Sequence, residues 1–219
     1  MVSKEIVMSK TKLWSSWIDE IRTQYSNLLN LKQIYDDVQN IISKNKKLHQ
    51  PSSFYDWLSE TYVTTITVGL RRVVHKSGSS ICLLNLIQDM AKQPEIVSRE
   101  YYIGLYKNTP TRVANKHYDK LVGEGAAHPS KAYFNKDTTD LNIFTKTLKN
   151  YVDKHVAHID PNKQLTALPT WKDLNDATLK VEEYIKKYCS LIKAEGWVQL
   201  TPTIQEPWKA IFDIPWVAR

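Results

Sequence analysis

Apolar residues recur at three- and four-residue steps through LWSSWIDEIRTQYSNLLNLKQIYDDVQNIIS: Leu13, Trp14, Trp17, Ile18 and Ile21, then Leu28, Leu29, Leu31, Ile34, Tyr35 and Val38. That period is a helical stripe and not strand alternation, so residues 13–38 are expected to form an amphipathic helix. The polar run KNKKLHQP stops it. Ser52 then offers a hydroxyl oxygen to the free amides of a new first turn. The segment that follows, FYDWLSETYVTTITVGLRRVV, is apolar on most sides, which places its helix in the centre of a bundle. Its β-branched residues 63–68 also suit a strand, but no partner segment with alternation appears elsewhere, and helix is expected.

HKSGSS reads as a turn, with Ser79 or Ser80 capping the short helix ICLLNLIQDMAK. Pro94 opens another, EIVSREYYIGLYKN, because proline is tolerated where a first-turn amide has no partner. TPTRVANKHYDKLV can form a helix, whereas GEGAAHPSKAYFNK reads as loop from its glycine, proline and small polar content. An irregular insertion or lid is therefore expected over residues 109–137. Thr138 or Thr139 then caps LNIFTKTLKNYVDKHVAH, which ends before Pro161. Thr170 caps WKDLNDATLKVEEYIKKYCSLIKAEG, with Gly196 as its stop. The tail, residues 197–219, is rich in tryptophan and proline and is expected to pack irregularly on the body. The expectation is one all-α domain over residues 1–219, an antiparallel helical bundle with short turns.

Composition narrows the class. Hydrophobic residues make up 42% and charged residues 24%, as in an ordinary globular domain. With 6 glycines and 9 prolines, the chain is poor material for a turn-rich β-sandwich or a disordered tract. No signal-peptide pattern is visible, and no apolar run approaches the ~18 residues of a membrane span. Cys82 and Cys189 both sit in apolar-periodic segments, as buried thiols do in a reducing compartment. A cytoplasmic protein without membrane contact is expected. Lys and Arg outnumber Asp and Glu by 30 to 23, giving +7. A surface of that sign favours anionic partners such as nucleic acid, although solubility alone is served by the same excess.

Phosphate-binding GK[ST] loops, GxGxxG and HExxH are all absent, so no cofactor is expected. The chemistry-bearing stretch is YVDKHVAHIDP, residues 151–161. His155 and His158 form an HxxH pair, but no third ligand stands at a recognisable spacing, so no metal is expected. At ~100° per residue, Tyr151, Lys154, His155 and His158 share one helix face. An imidazole beside a cation can take the proton of a ribose hydroxyl while the cation holds the phosphate. That is the minimal kit for metal-independent RNA cleavage. His158 would be the base, with Lys154 as cation, His155 beside them and Asp160 orienting the ring. The competing reading is a polar helix end, where histidines interact favourably with the dipole.

DKHVAHID resembles the signature helix of HEPN-domain proteins, in particular the abortive-infection AbiU branch. TITVGLRRVVHKSGSSICLLNLI and ALPTWKDLNDATLKVEEYI are similar to segments of the same branch, and together the matches run over residues 53–192 without the middle insertion. The resemblance implies an all-α bundle that dimerises with signature helices facing each other, acting on RNA in phage-defence or toxin–antitoxin systems. It implies RNA as ligand, an antitoxin or other protein as partner, and possible endoribonuclease activity; the alternative is a catalytically degenerate binding module. The family pattern sets an arginine separated from the histidine by four to six intervening residues. Counting back from His158, that place is held by Tyr151, Val152 or Asp153. Lys154 is one position too close and Lys149 lies on the opposite face, so Arg71 or Arg72 of the central helix is expected to supply the charge through space. Asp160 stands where some HEPN toxins carry a tyrosine.

Overall fold

The computed structural model describes residues 3–76, 78–107, 109–156 and 169–214. Among these residues every regular element is helical: α1 (Lys4–Lys44), α2 (Ser53–Val74), α3 (Leu83–Lys92), α4 (Arg99–Gly104), α5 (Thr111–Val122), α6 (Lys131–Tyr151) and α7 (Trp171–Lys193), with short 3-10 turns and one π turn between or after them. The antiparallel all-α bundle read from the sequence is the architecture found.

The periodic stripe of α1 is why the bundle forms around it. Trp14, Ile18, Ile21 and Tyr25 are fully buried, and α2, α3 and α7 all pack on that helix. Along α1 and α2, Tyr35 stacks on Tyr62, Leu28 lies over Gly69, and Gln24 accepts from Arg72. One index falls as the other rises, so the pair is an antiparallel hairpin. The same inverse order joins α6 to α7: Asp137 takes Lys187 and Tyr188, and Asp140 takes Tyr184. Buried tyrosines find acceptors, as hydroxyls must when water is removed. Tyr25 donates to the Thr178 carbonyl at 2.7 Å and Tyr118 to that of Val97 at 2.8 Å.

Several boundaries follow from capping chemistry. Ser52 accepts from the Phe54 amide, and Thr170 with Asp173 completes a reciprocal capping box at α7, both as the sequence implies. The residues 63–68 are helical. Other starts and stops differ. Cys82 and not a serine precedes α3, and α7 ends with Ala194 in a left-handed conformation, φ 56°, before Gly196 is reached. Pro94 opens a 3-10 turn, and Ser98 caps α4.

The larger correction concerns residues 109–137. They form α5 and the first turns of α6, whose cap is Ser130; Thr139 lies inside the helix and donates to the Asn135 carbonyl. Ala114 and Tyr118, one turn apart, bury the inner side of α5. Phe134 and Asp137 bury the start of α6, the carboxylate held by Lys187 at 2.7 Å and Tyr188 at 2.7 Å. Between the helices, Gly123 and Gly125 adopt φ 130° and 68°, which is where the loop-like composition is used. Arg99 clasps this turn through Asp119 at 2.6 Å and the Ala126 carbonyl at 2.9 Å. Of the tail, residues 197–214 are described: Leu200 is buried, the Arg22 guanidinium lies 4.5 Å over the Trp197 ring, and Lys209 reaches Asp37 at 2.8 Å.

At Gly69 the Leu28 side chain of α1 packs directly against α2. A Cβ there would stand 2.3 and 2.9 Å from the two methyls of Leu28 and 3.1 Å from its Cγ, so the Leu28 side chain would have to move. Gly69→Ala is expected to cost ~1–2 kcal/mol net, because overpacking outweighs the propensity gained by alanine. In a Leu28→Ala background the same change should be neutral or stabilising. Urea midpoints of the four proteins test this, and additive effects would refute the contact.

Candidate functional site

Two helix ends that are far apart in sequence meet here. The last turn of α2 carries Arg71 and Arg72 and is followed by His75 as its C-cap residue. The last turns of α6 carry Lys149 and Tyr151, after which the chain continues through a π turn, Val152–Val156, holding Asp153, Lys154 and His155. π turns are rare and occur often at functional positions. The wider turn also means that α-helical spacing does not assign faces beyond Tyr151. Tyr151 and His155 do share one, their rings stacked at 5.9 Å and 8°.

Asp153 is the centre of the cluster. Its Oδ1 accepts from Arg71 Nε at 2.5 Å, and its Oδ2 accepts from Lys149 Nζ at 2.6 Å. Burial pushes this carboxyl up, but the hydrogen bonds from Lys149 and Arg71 outweigh it and hold the group below the ordinary carboxylate range. Asp153 is thus ionised, and two cations with one anion leave one net positive charge. Lys149 and Arg71 keep 41% and 31% of their side chains exposed, so both remain accessible to a ligand. Arg71 has no partner but Asp153 among the described residues, which leaves both Nη groups as donors.

The structure sorts the sequence-predicted residues unevenly. Arg71 does reach the signature segment through space. Arg72 instead donates to Gln24 on α1, on the other side of α2. Lys149, read from helical spacing as facing away, stands four residues before Asp153 and reaches its carboxylate, which it shares with Arg71. Lys154 and His155 are exposed at the end of the π turn. His158 and Asp160 lie outside the described residues. Among the described residues, no three His, Cys, Asp or Glu side chains gather as a metal site.

His75 belongs to this cluster although its segment reads only as a turn. It is 6% exposed, with Nε2 2.7 Å from the Thr145 hydroxyl on α6. Thr145 donates its own hydrogen to the Leu141 carbonyl at 2.6 Å, so Nε2 must be the donor to Thr145 and Nδ1 the acceptor nitrogen. Burial, reinforced by Lys149 and Arg71 and opposed by Asp153, pushes the ring down to about 4. His75 is therefore a neutral strut between α2 and α6. The signal for it in the sequence is its position four residues after Arg71, the spacing that stacks side chains on a helix.

The family model described as AbiU2 matches residues 3–209. The match takes in α1 and the α5–α6 segment, beyond the 53–192 over which the resemblance is legible by eye. No curated protein and no solved structure matches the chain.

The neutral His75 has a consequence for stability. Its unfolded ring titrates near 6.5 and its folded ring near 4. Above pH 6.5 neither form binds the proton, so stability is intact. As pH falls toward 4, the unfolded chain takes up a proton that the folded one refuses, and stability is lost across that window. Urea midpoints from pH 7.5 to 4.5 should fall more steeply for wild type than for His75→Gln. Equal slopes would show that the ring is not held neutral.

Proposed function

The chain belongs to the AbiU2 family of HEPN-domain proteins, and from that premise we propose that it is an RNA-directed module of an abortive-infection system. RNA phosphate is held by Arg71 and Lys149, with Lys154 and His155 alongside. The observation that carries this reading is the convergence of Arg71 from α2 and Lys149 from α6 on the signature segment. Arg71 supplies through space the guanidinium that the segment lacks in sequence. Phosphate contacts of this kind provide most of the salt-dependent affinity for nucleic acid. The chemistry such a site supports is attack of a ribose 2′-hydroxyl on the adjacent phosphorus, without a metal. His158 acts as base and Asp160 orients it, while the cations stabilise charge on the phosphoryl oxygens.

A second reading is binding without cleavage, to RNA or to an acidic antitoxin protein. Its support is Asp153, a carboxylate in the stretch where the family pattern has arginine, which occupies both cations. Incubation with total RNA in EDTA separates the two. Cleavage leaving 2′,3′-cyclic phosphate ends, lost by at least ~100-fold in His158→Ala, is the expected outcome for the catalytic reading. Intact RNA with salt-dependent binding supports the second. In either case Arg71→Ala should weaken RNA binding most at low salt, and an unchanged affinity would sink the site itself.

The same reading pairs two copies through α6, where Ile143 and Phe144 stand 64% and 43% exposed. Facing α6 helices would bring two cationic clusters into one cleft. Sedimentation at tens of micromolar, enough to saturate ~1 μM association, should show a dimer that Ile143→Glu disrupts. A monomer throughout that range would rule the pairing out.

A further inference from the structure

A second cationic surface lies at the opposite end of α2. Lys44 ends α1, and Lys46 and Lys47 occupy the 3-10 turn Lys46–Leu48 that follows. All three are exposed, and none has a carboxylate partner among the described residues. The turn is tied to both helices. Tyr55 of α2 donates to the Leu48 carbonyl at 2.8 Å, and His49 Nε2 lies 3.1 and 3.2 Å from the Ile42 and Ser43 carbonyls of α1. The first turns of α2 present Phe54 and Trp57, 46% and 59% exposed, with ring centroids 5.7 Å apart. Neither ring belongs to the core cluster. Asp56 and Glu60 are the exposed acids on the same turns, so the lysines keep the excess.

The surface is aligned with the site already described. Trp57, Thr61, Thr64, Val68 and Arg71 follow one another at steps of four and three along α2, each exposed or half-buried. That is one helix face, and at 1.5 Å per residue it leads from Trp57 to Arg71 over about 21 Å. Lysines beside exposed aromatic rings match a ligand with regularly spaced anions and flat apolar faces. In a single-stranded nucleic acid both are available, because its bases are free to stack on protein rings; in a duplex the bases are hidden.

We propose that Phe54 and Trp57, with Lys44, Lys46 and Lys47, form an accessory site for single-stranded RNA, and that the strand runs along α2 to Arg71. The inference rests on the RNA reading of the Arg71–Lys149 cluster and extends it by a second, base-stacking contact. It makes affinity depend on strand length and on the presence of bases, neither of which the cluster alone would require.

Fluorescence anisotropy with labelled 2′-O-methyl oligouridines, which cannot undergo 2′-hydroxyl attack, tests this. A strand of about 12 nucleotides should bind roughly tenfold tighter than one of about 4, the stacking of one or two bases. Phe54→Ala with Trp57→Ala should remove that gain and leave the short strand unaffected, whereas Arg71→Ala should weaken both. Lys46→Ala with Lys47→Ala should reduce the slope of log affinity against log salt by about 1. An abasic strand of the longer length should bind wild type no better than the aromatic double variant binds RNA. If the double variant keeps the length gain while Arg71→Ala weakens binding, the accessory site is wrong and the RNA reading stands. If the lysine and aromatic variants lose only binding to polyglutamate, the surface serves an acidic protein and the proposal is overturned. If wild type binds no strand of either length, the RNA reading fails and the accessory site fails with it.

Discussion

The packing of Leu28 into the place left open by Gly69 sets where α2 lies against α1. A methyl at Gly69 would run into the Leu28 side chain, so the close fit of the two helices there is a matter of shape. Arg71 follows two residues later and His75 at the end of the same helix. In that register both emerge beside α6 and not toward α1. Arg72, one residue on, is turned to Gln24 by the same geometry.

On that frame the site is built by mutual neutralisation. Arg71 and Lys149 are brought together across 78 positions of sequence, and two cations so placed would repel without an anion between them. Asp153 supplies it, with one oxygen for each. The nearby His75 stays uncharged because it is buried beside both cations, and its ring is used as a hydrogen-bond donor to Thr145. The remaining positive charge is half exposed, which suits transient contact with an anionic backbone better than a closed pocket would. The α5–α6 segment has a different task. Asp137, Lys187 and Tyr188 lock α6 to α7, so the helix that carries the signature is anchored at its far end.

The helices themselves were legible from local information. The apolar steps of α1, the run of α2 and the caps Ser52 and Thr170 all rest on interactions within a few residues, and the structure keeps them. The α5–α6 region was less legible because its glycines are concentrated in one turn, at Gly123 and Gly125. The helical residues Ala114, Tyr118 and Phe134 on either side depend on burial against other elements. The loop-like composition belongs to that turn and not to the helices on either side of it.

At the site the division is sharper. Residue order alone carries the all-α class, the position of the signature stretch and the absence of an arginine within it. The packing of the helices is what turns Arg71 and not Arg72 to that stretch, gives Lys149 the same carboxylate partner, and brings His75 beside them. Those are choices of side and register between helices distant in the chain. They are made by steric fit between helices, as at Gly69, and by the pairing of opposite charges, neither of which leaves a periodic trace in the order of residues.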